Sequence, residues 1–123
     1  TPSNSSAASD VYKRQLIDSA KDYVHRNYRS VDLGLDDTCK ELGVSNSYFS
    51  SLFKKETGSS FVEYLTDYRM DKAARMLVET DDKSYVIAQN VGYADPNYFS
   101  YVFKRKYGVS PSRYRTEYEK NKV

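Results

Sequence analysis

Two polar stripes carry the chemistry that this sequence offers. Ser47, Ser50, Ser51 and Lys54 fall at i, i+3, i+4 and i+7, and Asn97, Ser100, Tyr101 and Lys104 repeat the pattern. Residues so spaced share one side of a helix. Each stripe holds hydroxyl or amide groups, no acid, and a lysine one turn further on. A helix that enters a nucleic-acid groove needs such a face: small donors that let the backbone approach base edges, and a cation beyond them for phosphate. The three serines bond to any base, so discrimination there should be modest or partly indirect. Asn97 and Tyr101 offer more. Lys54 and Lys104 are placed for phosphates, and the repeated Tyr48 and Tyr98 beside the stripes have a hydroxyl that suits either a phosphate contact or packing with a wet edge.

The elements that must hold these stripes are duplicated. At a constant offset of 50 residues, Tyr48, Phe49, Ser50, Phe53, Lys54, Gly58, Ser60 and Tyr64 return as Tyr98, Phe99, Ser100, Phe103, Lys104, Gly108, Ser110 and Tyr114. Internal repetition of this kind governs the choice of fold. In each copy the large apolar residues, Phe49, Leu52 and Phe53 or Phe99, Val102 and Phe103, form the opposite side of the helix and belong to a core. A short helical pattern closed by glycine precedes each: Asp36 to Leu42 before Gly43, and Tyr85 to Val91 before Gly92. Short helix, glycine-opened turn and second helix make a helix-turn-helix. Ser45 is the expected cap of one second helix; Asp95, followed by Pro96 at the first helical position, caps the other. Gly43 and Gly92 are expected to hold conformations that a β-branched residue reaches only with strain.

Between the copies, Ser60-Phe61-Val62-Glu63 has the spacing of a capping box and starts a long helix. Phe61, Tyr64, Leu65 and Tyr68, then Met70, Ala73, Ala74 and Leu77, give it two offset apolar stripes. Roughly 17 residues span about 25 Å, which with a unit packed outside each end suits the ~34 Å between successive major grooves on one face of DNA. Ahead of the first unit, Leu16, Ile17, Ala20, Val24 and Tyr28 keep helical spacing, and Ser110-Pro111 opens a last helix through Glu119. The reading is all-α, with about seven helices: a disordered linker over 1–9, a first helix and helix-turn-helix over 10–59, a linker helix over 60–79, a second helix-turn-helix and closing helix over 80–119, and a frayed tail over 120–123.

Together, Gly43-Val44-Ser45, Tyr48-Phe49, Leu52-Phe53-Lys54-Lys55-Glu56-Thr57-Gly58, Gly92-Tyr93, Asp95-Pro96, Tyr98-Phe99-Ser100, Phe103-Lys104, Gly108-Val109-Ser110-Pro111 and Tyr114-Arg115 resemble the DNA-binding domain of the AraC/XylS family of bacterial transcription regulators. The likeness runs from about Leu16 to Glu119. It departs from the family pattern at Thr38 and Ser84, where aliphatic residues are usual, and at Cys39, where alanine is. The resemblance implies sequence-specific binding to double-stranded promoter DNA with two recognition helices in successive major grooves. On it, Ser47, Ser50 and Ser51, with Pro96, Asn97, Ser100 and Tyr101, face the groove; Tyr48, Lys55, Tyr98 and Arg105 are further phosphate candidates. Arg69 matches an arginine common in the family, and an ion pair that orients the linker helix is its expected role. The resemblance further implies a protein that meets RNA polymerase in its full-length form, monomeric as this domain alone and dimerising through a portion N-terminal to it, while the single cysteine fits a reducing cytoplasm.

Composition narrows the alternatives. One cysteine and one histidine leave no internal disulfide and no protein-built zinc site, and no cofactor is implied. Gly-rich phosphate loops, nucleophile elbows and carboxylates paired with a histidine are missing, so an enzyme is not the reading. Nothing approaches the ~18 apolar residues of a membrane span. Net charge is only +2, but residues 1–82 carry 11 basic and 14 acidic side chains while residues 83–123 carry 8 and 3. That asymmetry points a basic end at a polyanion. A helical protein-interaction module and a sequence-indifferent nucleic-acid binder remain the other two classes.

Overall fold

The computed structural model describes residues 2–122, with side chains from Ala8 onward. Seven α-helices and no strand occur among them: α1 Pro2–Asn27, α2 Leu35–Leu42, α3 Asn46–Thr57, α4 Phe61–Glu79, α5 Ser84–Asn90, α6 Pro96–Tyr107 and α7 Pro111–Asn121. The chain forms two compact units. The first comprises residues up to Asn27 with Leu33–Leu65, and the second Tyr28–Asp32 with Thr66 onward. α4 thus starts in one unit and continues into the other.

Two boundaries differ from those read in the sequence. Residues 2–9 continue α1 instead of forming a disordered linker, because extending an existing helix fixes one residue per bond and avoids the nucleation cost. Pro2 stands at the first position, where its missing N–H breaks nothing. At the other end, α7 runs to Asn121, two residues into the segment read as frayed; Thr1 and Val123 lie outside the described residues.

In the first unit α1 lays Leu16, Ile17, Ala20 and Val24 against α2 and α3, where Cys39, Phe49, Leu52 and Phe53 are buried together with Phe61 and Leu65 of α4. Phe61 meets the Phe49 and Phe53 rings edge-on, at 5.4 and 5.5 Å. In the second unit Met70, Ala73, Ala74 and Leu77 of α4 pack with Tyr28, Ile87, Ala88, Val91, Phe99 and Phe103. The repeat is physical as well as textual. Gly58 and Gly108 close α3 and α6 with φ of 86° and 80°, each donating to the lysine carbonyl four residues back. Ser60 and Ser110 then accept from the backbone N–H three residues on, at 3.1 and 3.2 Å. Tyr64 and Tyr114 stand edge-on to Phe53 and Phe103 at 5.5 and 5.4 Å.

The two departures in α2 are both fully enclosed. Burial pushes the Cys39 thiol up, and nearby Asp36 adds to the shift, so this cysteine is held as an inert thiol. Thr38 is 0% exposed and its hydroxyl has no hydrogen-bond partner among the described residues. A buried hydroxyl without a partner loses its water bonds for nothing. Thr38→Val should therefore raise stability by about 1 kcal/mol in urea unfolding.

Gly43 and Gly92 both have positive φ, 71° and 92°, as the turn assignments require. Their surroundings differ sharply. A Cβ on Gly43 would meet nothing within 4 Å, whereas one on Gly92 would lie 2.6 Å from the Tyr28 carbonyl oxygen and 2.8 and 2.9 Å from the Arg69 guanidinium. Gly43→Ala should cost only left-handed strain, about 1 kcal/mol. Gly92→Ala adds a clash with backbone and should cost at least about 3 kcal/mol. Equal shifts in the urea midpoints of the two variants would refute this difference.

Candidate nucleic-acid interface

Each stripe sits on a helix whose start is fixed by local chemistry. The Ser45 hydroxyl accepts from the Tyr48 N–H at 3.2 Å, and the Asp95 carboxylate accepts from the Asn97 N–H at 2.9 Å with Pro96 following. Asn46, the first residue of α3, also donates its amide to the Asp36 carboxylate on α2, and Asp37 beside it accepts from the Tyr23 hydroxyl of α1 at 2.8 Å. α3 is thereby tied to α2, and α2 in turn to α1.

Ser47, Ser51 and Lys54 on α3 are exposed, as are Pro96, Asn97, Tyr101 and Lys104 on α6. Ser50 and Ser100 are half-buried, at the edge of each face where the helix turns toward its core. Tyr48 and Tyr98 lie 43% and 52% in solvent, so neither is a core residue. Tyr98 stacks on Tyr101 with 6.4 Å between centroids, and Arg105 donates to the Tyr101 hydroxyl at 3.3 Å with its guanidinium 5.8 Å above that ring. The Tyr101 oxygen accepts from arginine and keeps its own proton to donate. Lys55 is exposed beside Lys54.

Charge is distributed by side of the helix. α6 has no acidic residue, and among the described residues Lys54, Lys55, Lys104 and Arg105 have no carboxylate within ion-pair distance. Lys106, on the opposite side of α6, is paired: 2.7 Å from Asp71 and 3.5 Å from Asp67, both on α4. Tyr107 donates to the same Asp71 oxygen at 2.7 Å. This network, which positions α6 on α4, escaped the sequence reading. The signal was available in the repeat, since Lys106 and Tyr107 replace Glu56 and Thr57 of the first copy.

Arg69 corrects its sequence reading. Among the described residues it forms no ion pair; its Nε donates to the Tyr28 carbonyl at 3.1 Å and an Nη to the Ser30 carbonyl at 2.7 Å, with the guanidinium 5.5 Å from the Tyr93 ring centre. Burial pulls its pKa below the usual arginine value, opposed by Tyr93. At 7% exposure it is no surface contact. His25 is exposed and shares a 2.8 Å hydrogen bond with the Tyr64 hydroxyl. No group of His, Cys, Asp and Glu suited to a metal occurs among the described residues, nor any helix long and apolar enough to cross a membrane.

Two glycine-turned helix pairs, each ending in a capped helix with an acid-free polar face, define a double helix-turn-helix domain. Residues 38–117 match the family model described as a helix-turn-helix domain, and the chain belongs to that AraC-type family, which consists of DNA-binding domains of transcription regulators and not of enzymes. It is 36% identical over 80 residues to the lactose operon transcription activator of Staphylococcus xylosus, covering 65% of this chain and 28% of the activator. The chain spans less than a third of the length of the first curated relatives it matches. Among solved structures, it is 39% identical to the C-terminal domain of AraT, a response regulator from Geobacillus stearothermophilus, with a TM-score of 0.81 over 83% of this chain and 84% of that one. The DNA-binding domain of AdpA, a global transcriptional factor crystallised with a target DNA, has the same fold at 22% identity, TM-score 0.81, over 86% of this chain and 95% of that one.

Asp71 supplies a pH-dependent test of how α6 is held. Partial burial pushes its carboxyl up, but the bonds from Lys106 and Tyr107 outweigh this and hold it below the usual value near 3.8. A carboxyl lowered by folding stabilises fully above its unfolded pKa and loses that contribution as pH falls through the folded one. The wild type should therefore exceed Asp71→Asn in urea stability at pH 7, by about 0.5 kcal/mol for so exposed a pair. The gap should close as pH drops below 3.8. A gap that persists in acid would show that the carboxylate plays no such part.

Proposed function

We propose that this chain is the DNA-binding portion of a bacterial transcription regulator, and that it reads promoter DNA by placing α3 and α6 in successive major grooves. The observation that carries the reading is the pair of acid-free, exposed faces on capped helices, each bearing cations, Lys54 and Lys55 on α3 and Lys104 and Arg105 on α6, that no carboxylate among the described residues pairs. Ser47, Ser50, Ser51, Pro96, Asn97, Ser100 and Tyr101 meet base edges. Lys54 and Lys104 take phosphates, with Tyr48, Lys55, Tyr98 and Arg105 as additional backbone contacts. The names of its relatives, a transcription activator and a response regulator among them, support this role. A cytoplasmic location, contact with RNA polymerase and dimerisation through a portion outside this chain follow from the same reading, with the domain itself monomeric.

Readout and attraction separate by substitution. Asn97 has an amide able to pair with an adenine edge, a contact worth about 1–3 kcal/mol of discrimination. Lys104 is a point charge for phosphate, worth about one unit of salt slope. On a duplex selected by the chain from a random pool, Asn97→Ala should relax preference at one base pair and leave the salt slope nearly unchanged. Lys104→Ala should weaken binding to all sequences alike and flatten the slope. A protein-interaction module would show neither effect, and a sequence-indifferent binder only the second.

A further inference from the structure

The buried stripe of α1 runs Leu16, Ile17, Ala20 and Val24. Continued one turn toward the N-terminus, it reaches Lys13, which lies at i−3 and i−4 from Leu16 and Ile17. The side of α1 that faces the first unit's core therefore presents a lysine just beyond the core's edge. Lys13 is only half-exposed there. With Lys55, Tyr48, Leu52, Ser47 and Ser51 of α3 it lines an open concavity of about 440 Å³. Two of these, Ser47 and Ser51, belong to the groove-facing stripe described above.

The lining has two parts of different chemistry. Leu52 and the Tyr48 ring are apolar; two ammonium groups and three hydroxyls surround them, and no acid lines the concavity. Among the described residues neither lysine has a carboxylate within ion-pair distance. A free inorganic anion would use the cations and leave the apolar surface wet. A sugar-phosphate strand alternates an anionic group with an apolar sugar face, and so matches both parts. A lysine stem laid along apolar surface with its ammonium at the rim is also a favourable arrangement.

We propose that Lys13 is a DNA-binding residue: with Lys55 it clamps a backbone phosphate of the strand that borders α3. The proposal rests on the function assigned above and adds to it a contact from α1, a helix that contributes nothing to either stripe. Lys13 has no counterpart in the second copy, where the offset of 50 residues leads to Glu63 read forward. The clamp is accordingly a feature of the first unit alone.

The test is a salt series on the selected duplex and on random duplex, with the full chain and Lys13→Ala, Lys13→Arg, Lys104→Ala and Lys120→Ala. Lys120 lies near the end of α7, so its loss controls for net charge. Lys13→Ala should lower affinity on both duplexes alike and reduce the salt slope by about one, Lys13→Arg should restore both, and Lys120→Ala should leave the slope unchanged. Helix content and melting of each variant by circular dichroism verify that the fold is kept. If Lys104→Ala flattens the slope while Lys13→Ala behaves as Lys120→Ala does, the Lys13 contact is refuted and the DNA reading stands. If neither Lys13→Ala nor Lys104→Ala alters the slope, both are refuted.

Discussion

A buried guanidinium needs acceptors close at hand, because stripping water from a charge costs several kcal/mol unless hydrogen bonds replace it. Arg69 meets this demand with the carbonyls of Tyr28 and Ser30, which lie just past the end of α1, where helical carbonyls run out of partners. The arrangement requires that nothing fill the space over the guanidinium. Gly92 leaves it open, and its positive φ turns the chain so that Tyr93 lies against the cation. Two residues beyond Tyr93 stands Asp95, the cap of α6. The connection after α1, the linker helix and the turn before the second candidate recognition helix are thus held by one side chain and one missing side chain. Lysine could not substitute, since a single ammonium lacks the fork that reaches two carbonyls and the flat face that meets a ring.

Duplication supplied two helices with the same caps, the same phenylalanine pair and the same glycine end, and divergence then gave them different tools. The first face holds serines, which bond without much choice; the second holds Asn97 and a tyrosine whose hydroxyl is engaged by Arg105. The supports diverged too. At the position of Thr57, whose hydroxyl stays with the nearby backbone of Phe53 and Ser59, the second copy has Tyr107, which reaches Asp71 on α4. A helix expected to discriminate between bases must be held more rigidly than one that contacts any sequence, because a misaligned amide loses its bidentate geometry. The heavier anchoring of α6 accords with the chemistry of its face.

What the sequence made legible was local. Ser45, Asp95, Ser60 and Ser110 act within three residues of themselves, and the positive φ of Gly43 and Gly92 belongs to the local turn, so type and spacing sufficed to place them, though not to show what closes over Gly92. The periodicity of Phe49, Leu52 and Phe53 likewise separated the core side from the polar side. The exceptions are contacts across long separations. Arg69 reaches residues 41 and 39 positions away, and no pattern marks a backbone carbonyl as a future partner. Lys13 lies outside both the repeat and the matched region, and its role depends on the concavity it shares with Tyr48, Leu52 and Lys55 of α3, which is visible only once α1 is seen packed on that helix. The start of α1 was misplaced because small polar residues read as linker, although none of them breaks a helix that already exists.

A net charge of +2 leaves open how a polyanion would be attracted, and the answer lies in where helices put their charges. Asp36 and Asp37 occupy the first turn of α2, Glu63 that of α4, and Asp95 caps α6, each beside unpaired backbone N–H groups that favour a negative charge. Lys54 and Lys55 end α3, and Lys104, Arg105 and Lys106 end α6, where carbonyls favour cations. Each such placement is worth about 0.3–1 kcal/mol to the helix concerned. It also removes acids from the two polar faces and leaves cations at one end of each. Because the field felt by an approaching strand is set by the nearest charges within about a Debye length, the acids elsewhere in the first unit need not oppose binding. The same rule that stabilises each helix gives it a face fit for phosphate.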